Sequence, residues 1–181
     1  MNKFRTHTCA ELSETDIGKD IFLSGWIHRK RDHGNLLFID LRDHYGVTQC
    51  VVENNDKCFP ILEKTRPESV VKISGKVVKR SIGTENLDLK TGKVEVSIKE
   101  VDILSEANEL PIPVFGEQDY PEDLRLKFRF LDLRRFEMHK NIILRSQVIS
   151  FIRSEMVKLG FLEYQTPILT SSSPEGARDF L

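Results

Sequence analysis

The residues most able to do chemistry lie in a short run near the end of the chain. The run Ser-Ser-Pro-Glu-Gly-Ala-Arg-Asp-Phe places three charged side chains, Glu175, Arg178 and Asp179, within five positions of a loop built from small residues. Such a loop suits a zwitterionic ligand, because a carboxylate binds an ammonium group and the flexible Gly176 lets the loop close. A solvated surface turn has the same composition, so the residue types alone leave both interpretations open.

A long amphipathic helix is predicted to position this run. It spans residues 138–159, and Gly160 ends it, as glycine commonly does after the last helical turn. We expect a strand from Phe161 that turns at Pro167 and opens into the Ser-rich loop. The apolar residues of the helix recur at spacings of three, four and seven: Ile142, Ile149, Ile152, Met156 and Leu159.

The first hundred residues have the pattern of a small β-barrel. Alternating apolar and polar residues predict strands at 21–31, 36–42, 47–53, 69–79 and 94–104. A helical or mixed connection over 56–65, interrupted by Pro60, joins the third and fourth strands. Three strands, a helical connection and two strands is the order of the OB-fold, a Greek-key barrel that binds oligonucleotides. Many small barrels have five strands, so this pattern is only moderately specific.

An aromatic ring falls on the polar face of the second predicted strand. Phe38 shares that face with Asp40 and Arg42, and the basic run at residues 28–31 ends the neighbouring strand. Basic groups reach phosphates, and a ring on a polar sheet face can stack on an unstacked base. Packing in the core is the alternative for Phe38, and Leu36 on the same face keeps that alternative open.

Two further polar side chains could face the same ligand. Gln49 sits in the middle of the third strand, where it could read a base edge with its amide or be an ordinary edge residue. Glu95 begins the fifth strand, where its carboxylate could accept from a base amino group or form a surface salt bridge. The residue types do not decide between these roles.

Composition limits the function classes. The chain has 181 residues and a net charge of -1, so any nucleic-acid surface must be a local patch. The five histidines lack metal-ligand spacing, and the three cysteines lack a CxxC pair, so we expect no metal site and a reducing, cytoplasmic location. No apolar run approaches the ~20 residues of a membrane span, and no secretory signal is predicted.

A Pro-, Gly- and acid-rich stretch divides the chain. Residues 105–136 read as a hinge between a domain at 1–104 and a second domain beginning at 137. Its last part, residues 124–135, is dense in arginine. Those arginines could meet a phosphate backbone or form an interdomain salt-bridge surface.

Two groups of motifs resemble a known enzyme family. Gly-Phe-x-x-x-x-Thr-Pro-x-Leu at 160–169 resembles motif 1 of class II aminoacyl-tRNA synthetases, and the run around Glu175 resembles the mobile loop of bacterial-type aspartyl-tRNA synthetases. Ser-Gly-Trp-Ile-x-Arg-x-Arg-Asp-x-Gly and Leu-Phe-Ile-Asp-Leu-Arg-Asp-x-x-Gly-x-x-Gln are similar to the anticodon-binding domain of the same family. The resemblance covers essentially the whole chain.

The resemblance implies a fold and a reaction. The fold is an OB-fold anticodon-binding domain at 1–104, a hinge, and the first helix and strand of an α+β class II catalytic domain at 137–181. The reaction is ATP- and Mg²⁺-dependent activation of L-aspartate and its transfer to tRNA-Asp by a homodimer. Motifs 2 and 3 do not occur in these residues, so no complete catalytic set and no bound cofactor are expected. We therefore expect the 181 residues alone not to form aspartyl-adenylate.

Position by position, the resemblance also implies roles for single residues. Arg31, Phe38, Gln49 and Glu95 fall on the anticodon-reading residues of the family, with Phe38 stacked on the central uridine. Glu175 falls on the partner of the substrate ammonium group.

The resemblance marks discrimination and dimer positions as well. His33 and Gly83 resemble the members that also charge tRNA-Asn. The long helix and the strand with Pro167 would form the dimer interface, or the helix could pack on its own sheet. An asparaginyl- or lysyl-type synthetase and a stand-alone OB-fold RNA-binding module stay open as alternatives.

Overall fold

A computed structural model describes residues 3–81, 83–116 and 119–167. The chain forms two compact units, Met1–Asp132 and Leu133–Leu181. The three-part division at residues 104 and 136 stays a prediction.

Five strands in the first unit close into a barrel. The barrel order is β1-β2-β3-β5-β4, and β4 pairs back with β1. The β3–β5 pair is parallel and the other pairs are antiparallel. This is the arrangement of the OB-fold, so the predicted five-stranded Greek-key barrel is confirmed. The strands are β1 (Asp20–Asp32), β2 (Leu36–Arg42), β3 (Val47–Glu53), β4 (Val70–Lys79) and β5 (Val94–Ser105).

Alternation along the strands builds the barrel core. Every second residue is buried along β2 and in β1 as far as Ile27, and the intervening residues lie on the outer face. Gly25 lies where β1 approaches β2 so closely that an added Cβ would stand 2.3 Å from the Arg42 carbonyl oxygen. A bulge follows in β1 between Ile27 and Arg29. Glycine and bulge together let this strand bend around the barrel. The fully buried core side chains include Leu23, Ile27, Ile39, Leu41, Val71, Ile73, Val77, Val94 and Val96.

A short helix, α1 (Phe59–Lys64), connects β3 to β4. Pro60 lies in its first turn, where the missing N–H costs no hydrogen bond, so the prediction that Pro60 interrupts the connection is wrong. The side chain of Leu62, in this helix, is fully buried. The Lys30 ammonium group caps the C-terminus of the helix by donating to the carbonyl oxygens of Leu62, Glu63 and Thr65 at 3.2, 2.7 and 2.6 Å.

Both halves of the stretch predicted as a hinge contribute to a small apolar cluster. Helices α2 (Glu122–Lys127) and α3 (Arg129–Asp132) follow the barrel. Leu131 is buried together with Ile112 and Val114, and four half-buried side chains surround them. The Asp132 carboxylate is fully buried and accepts from Arg125 at 3.2 Å and from Arg129. Two arginines of residues 124–135 are therefore held by an ion pair within the segment.

The second unit contains one long helix, α4 (Phe136–Lys158), which confirms the predicted helix. Gly160, at φ 86°, ends it in a Schellman motif, with Phe161 N–H bonded to Met156 O at 3.1 Å and Gly160 N–H bonded to Val157 O at 3.0 Å. The described residues 161–167 form no strand, so the strand predicted there is wrong over this range. A strand needs a ladder partner, and none is described in this unit.

Candidate nucleic-acid interface

An open cleft of about 710 Å³ lies on the outer wall of the barrel. Residues of all five strands, of the β4–β5 loop and of the segment after β3 line it, and we call it the barrel cleft. Its lining includes Arg31, His33, Phe38, Gln49 and Glu95, together with Ser81, Thr84 and Lys99. The structure thus brings all four predicted base-reading residues and His33 to one site. Gly83 lies in the same loop, between Ser81 and Thr84.

Phe38 lies on the outer face of β2 and not in the core. Its neighbours Leu37 and Ile39 are buried, whereas Phe38 is half-buried. Its Cα partners across the sheet are Arg31 on β1 and Val51 on β3. An aromatic ring between an arginine and an aliphatic side chain, on a wall open to solvent, has the geometry of a base-stacking platform.

The polar side chains of the barrel cleft form a hydrogen-bonded row. Nη2 of Arg31 donates to Asp40 Oδ1 at 2.8 Å and to Gln49 Oε1 at 3.1 Å. Nε2 of Gln49 donates to Glu95 Oε2 at 2.7 Å. This row fixes the orientation of the Gln49 amide, with oxygen toward arginine and nitrogen toward glutamate. One lone pair and one N–H of that amide remain for a ligand.

Burial sets the charge balance at the base of the row. Desolvation raises the pKa of the Asp40 carboxyl, while the positive charges of Arg31 and Arg29 oppose the rise. The Arg31–Asp40 pair is partly buried, so the carboxylate holds the guanidinium in place against the cleft wall. Arg31 therefore offers its remaining N–H groups from a fixed position.

Sequence reasoning missed Arg80 behind this row. Arg80 is 4% exposed, and desolvation lowers its pKa while Glu95 and Asp40 raise it. The residues of β4 that alternate with the outer face, from Val71 to Val77, are buried, and the same alternation predicts that Lys79 is buried too. Lys79 is instead exposed, and the next residue, Arg80, is buried. The strand ends at that point, so no periodic signal identifies Arg80.

The basic run 28–31 is mostly engaged within the protein. Nδ1 of His28 lies 2.8 Å from Arg42 Nη1, and Lys30 ends helix α1. Arg31 belongs to the hydrogen-bonded row. Arg29 is exposed, which leaves it the member of the run best placed to meet a phosphate. A phosphate contact by Lys30 stays a prediction, and it would require the ammonium group to leave its three carbonyl acceptors.

Two of the predicted positions, Pro167 and Glu175, belong to the second unit. Glu175 lies outside the described residues, and Pro167 is exposed at the end of the described part of the second unit. Cys9, Cys50 and Cys58 are free, buried thiols. In ranges 3–81, 83–116 and 119–167, no group of three or more His, Cys, Asp or Glu is placed to hold a metal ion. None of the helices described is long and apolar enough to cross a membrane.

Two family models match successive parts of the chain. Residues 21–104 match the OB-fold nucleic acid binding domain, and residues 121–181 match the class II tRNA synthetases for D, K and N. The second match confirms the predicted start of a class II domain.

Two proteins with similar sequences have the same name. Over all 181 residues the chain is 66% identical to the aspartate–tRNA(Asp/Asn) ligase of Pelagibacter ubique and 61% identical to that of Phenylobacterium zucineum. It spans 30% and 31% of their lengths.

Solved structures agree with this fold. The asparaginyl-tRNA synthetase of Pyrococcus horikoshii, with bound asparaginyl-adenylate, superposes with a TM-score of 0.80 at 28% identity, over 94% of this chain and 38% of that one. The aspartyl-tRNA synthetase of Entamoeba histolytica has the same fold, with a TM-score of 0.77 at 21% identity over 92% of this chain and 40% of that one. The chain therefore carries an OB-fold nucleic acid binding domain at residues 21–104 and part of a class II tRNA synthetase (D, K and N) domain at residues 121–181.

Proposed function

We propose that the barrel cleft binds the anticodon loop of tRNA-Asp and that the chain is part of an aspartate–tRNA ligase. The observation that carries this proposal is the convergence of Arg31, Phe38, Gln49 and Glu95 on one open cleft. The identity of 66% to a relative named for this activity supports the same conclusion.

Each cleft residue has a distinct task in this proposal. The ring of Phe38 stacks on the central uridine, a contact worth roughly 1–3 kcal/mol per base. The free N–H and lone pair of Gln49 match the acceptor and donor on the pairing edge of that uridine. Glu95 accepts from base N–H groups, and guanine presents two of them on its pairing edge. The Asp anticodon GUC contains one guanine, at its first position, so Glu95 is assigned to that base.

The proposed reaction is activation of L-aspartate by ATP with Mg²⁺, followed by acyl transfer to tRNA. Glu175 binds the ammonium group of the aspartate, and the loop around it closes over the substrate. The enzyme acts in the cytoplasm as a homodimer in which α4 and Pro167 contribute to the interface. Residues 105–136 serve as the hinge between the anticodon-binding domain at 1–104 and the catalytic domain beginning at 137.

Charging of tRNA-Asn belongs to the proposal too. The Asn anticodon GUU differs from GUC only in its third base, so the residues assigned to guanine and uridine read both. His33 lines the barrel cleft and Gly83 lies in its loop, where they leave both third bases acceptable. Relatives named for both tRNAs support this part.

Binding of stem-loop RNAs to the 181-residue chain tests the anticodon site. We expect tight binding of GUC and GUU loops and weaker binding of a loop with the central uridine changed to adenine. Equal affinity for all loops would contradict anticodon reading and favour a general RNA-binding module. Aminoacylation of both tRNAs by the full-length protein tests the reaction itself, and charging with asparagine in place of aspartate would instead identify an asparaginyl-type enzyme.

A further inference from the structure

A buried cation stands at the root of the β4–β5 loop. Arg80 directly follows β4 and is 4% exposed. Its Nε donates to Val94 O at 3.2 Å, and its Nη1 donates to Thr84 O at 3.3 Å. Among the described residues, its Nη2 is the buried side-chain nitrogen without a hydrogen-bond partner. A guanidinium has five donors in a fixed plane, so two of its bonds define where both acceptors lie.

Those two acceptors lie in different elements, strand β5 and the β4–β5 loop. Val94 begins β5 and directly precedes Glu95, whose carboxylate accepts from Gln49 at 2.7 Å. Thr84 lies in the β4–β5 loop and lines the barrel cleft with Ser81. One side chain therefore connects the strand that carries Glu95 to the loop that contains Gly83.

The same loop has its own internal contacts. Thr84 donates from its backbone N–H and its hydroxyl to Ser81 O, at 3.0 and 2.8 Å. The Gly83 N–H donates to the Glu85 carboxylate at 2.9 Å. These bonds shape the turn, but each joins residues at most three positions apart. Arg80 connects this turn to β5 through Val94, so it can set how far the loop stands from Glu95.

The charge of Arg80 acts on the same residues. Its guanidinium is attracted to Glu95 and Asp40 and repelled by Arg31. An apolar side chain could fill a buried position without the desolvation cost of a cation. Burying a cation with one unpaired nitrogen costs desolvation free energy that packing alone does not require. We therefore look for the role of Arg80 in the position of the charged residues of the barrel cleft.

We propose that Arg80 is a positioning residue that holds Glu95 and the β4–β5 loop at the spacing that selects guanine in the first anticodon position. The inference rests on the proposed anticodon binding. Arg80 acts through Glu95 and Thr84 and needs no contact of its own with RNA.

The test compares Arg80→Lys and Arg80→Met with the unchanged chain. Affinities are measured for a GUC stem-loop and for an AUC stem-loop over a range of salt concentrations. We expect the preference for GUC over AUC to fall about tenfold in Arg80→Met, equivalent to the loss of one well-placed hydrogen bond. Arg80→Lys keeps the charge and should recover part of the preference. The salt dependence should stay unchanged, because no phosphate contact is removed.

Lys79→Met is the matched control, since it removes the adjacent, exposed cation. It should leave the preference for GUC over AUC intact. An equal loss of affinity for both RNAs in Arg80→Met would mean that Arg80 only stabilises the fold and would overturn the proposal, as would failure of both Arg80 variants to fold. If the unchanged chain itself shows no preference for GUC, the proposed function fails instead.

Discussion

The rings of His33 and Phe38 stand almost perpendicular, at 88°, with their centroids 5.4 Å apart. His33 lies in the β1–β2 turn, so this contact ties the turn to the outer face of β2. Edge-to-face aromatic pairs are worth about 0.5–1.5 kcal/mol beyond the area they bury. The ring of Phe38 is therefore held in place before any base arrives, which lowers the entropy lost on binding.

Replacement of Phe38 by alanine tests the stacking platform. We expect the affinity for a GUC stem-loop to fall by about 1–3 kcal/mol, because one base loses its stacking partner. The free energy of unfolding should fall by less than the roughly 3–5 kcal/mol typical of a core phenylalanine, since Phe38 is only half-buried. Fluorescence-based titration and urea unfolding measure the two quantities.

Phe22→Ala is the control for this change. Phe22 is an exposed aromatic residue on the outer face of β1 and does not line the barrel cleft. Its loss should leave RNA affinity unchanged. If Phe38→Ala behaved in the same way, or unfolded the chain while keeping its affinity, Phe38 would be a packing residue.

Gln49 should govern selectivity without affecting salt dependence. Gln49→Met keeps the length of the side chain but removes the N–H to Glu95 and the acceptor for Arg31. We expect the preference for uridine over adenine at the central anticodon position to fall by about 1–3 kcal/mol. The slope of log affinity against log salt should match that of the unchanged chain. A changed slope with intact selectivity would place Gln49 at the phosphate backbone.

Arg29 and Lys30 are adjacent cations with different surroundings, so they form a matched pair. Arg29→Gln should lower the salt slope by about 0.7–0.9, the contribution of one phosphate contact, and leave stability unchanged. Lys30→Gln should destabilise the fold by about 1–2 kcal/mol, because three carbonyl oxygens at the end of α1 lose their donor. The reverse pattern would show that Lys30 leaves the helix to bind RNA.

The sequence predicts the barrel well because alternation is a local property. The burial of Leu37, Ile39 and Leu41 follows from the spacing of residues within β2. The bond from Lys30 to Thr65 does not follow, because it joins residues 35 positions apart whose proximity depends on the closed barrel. Arg80 escapes prediction for another reason: it follows the last residue of β4, where the alternation of buried and exposed positions ends. The strand predicted from Phe161 does not form over residues 161–167, because a strand needs a neighbouring strand for its hydrogen bonds and alternation within the sequence does not show whether one is present.

A half-buried histidine gives the barrel a pH dependence that alternation also cannot predict. Nη1 of Arg42 lies 2.8 Å from His28 Nδ1, and its Nη2 donates to both oxygens of Glu68 at 2.7 and 2.9 Å. Arginine only donates, so Nδ1 must accept, and the imidazole must be neutral with its proton on Nε2. Burial and the positive charges of Arg42 and Arg29 lower the pKa of His28, while Glu68 opposes them.

His28→Gln should therefore flatten the dependence of stability on pH. In the folded protein the pKa of His28 lies below its ordinary value of about 6.5, so the unfolded chain binds more protons as pH falls below that value. The stabilisation is fully present above pH ~6.5 and is lost as pH falls toward the folded pKa. Glutamine keeps an acceptor for Arg42 and does not titrate. Urea unfolding at pH 7.5 and 5.5 should show a smaller difference for His28→Gln than for the unchanged chain, whereas His44→Gln, at an exposed position, should match the unchanged chain. Parallel losses in all three proteins would show that the pKa of His28 does not shift on folding.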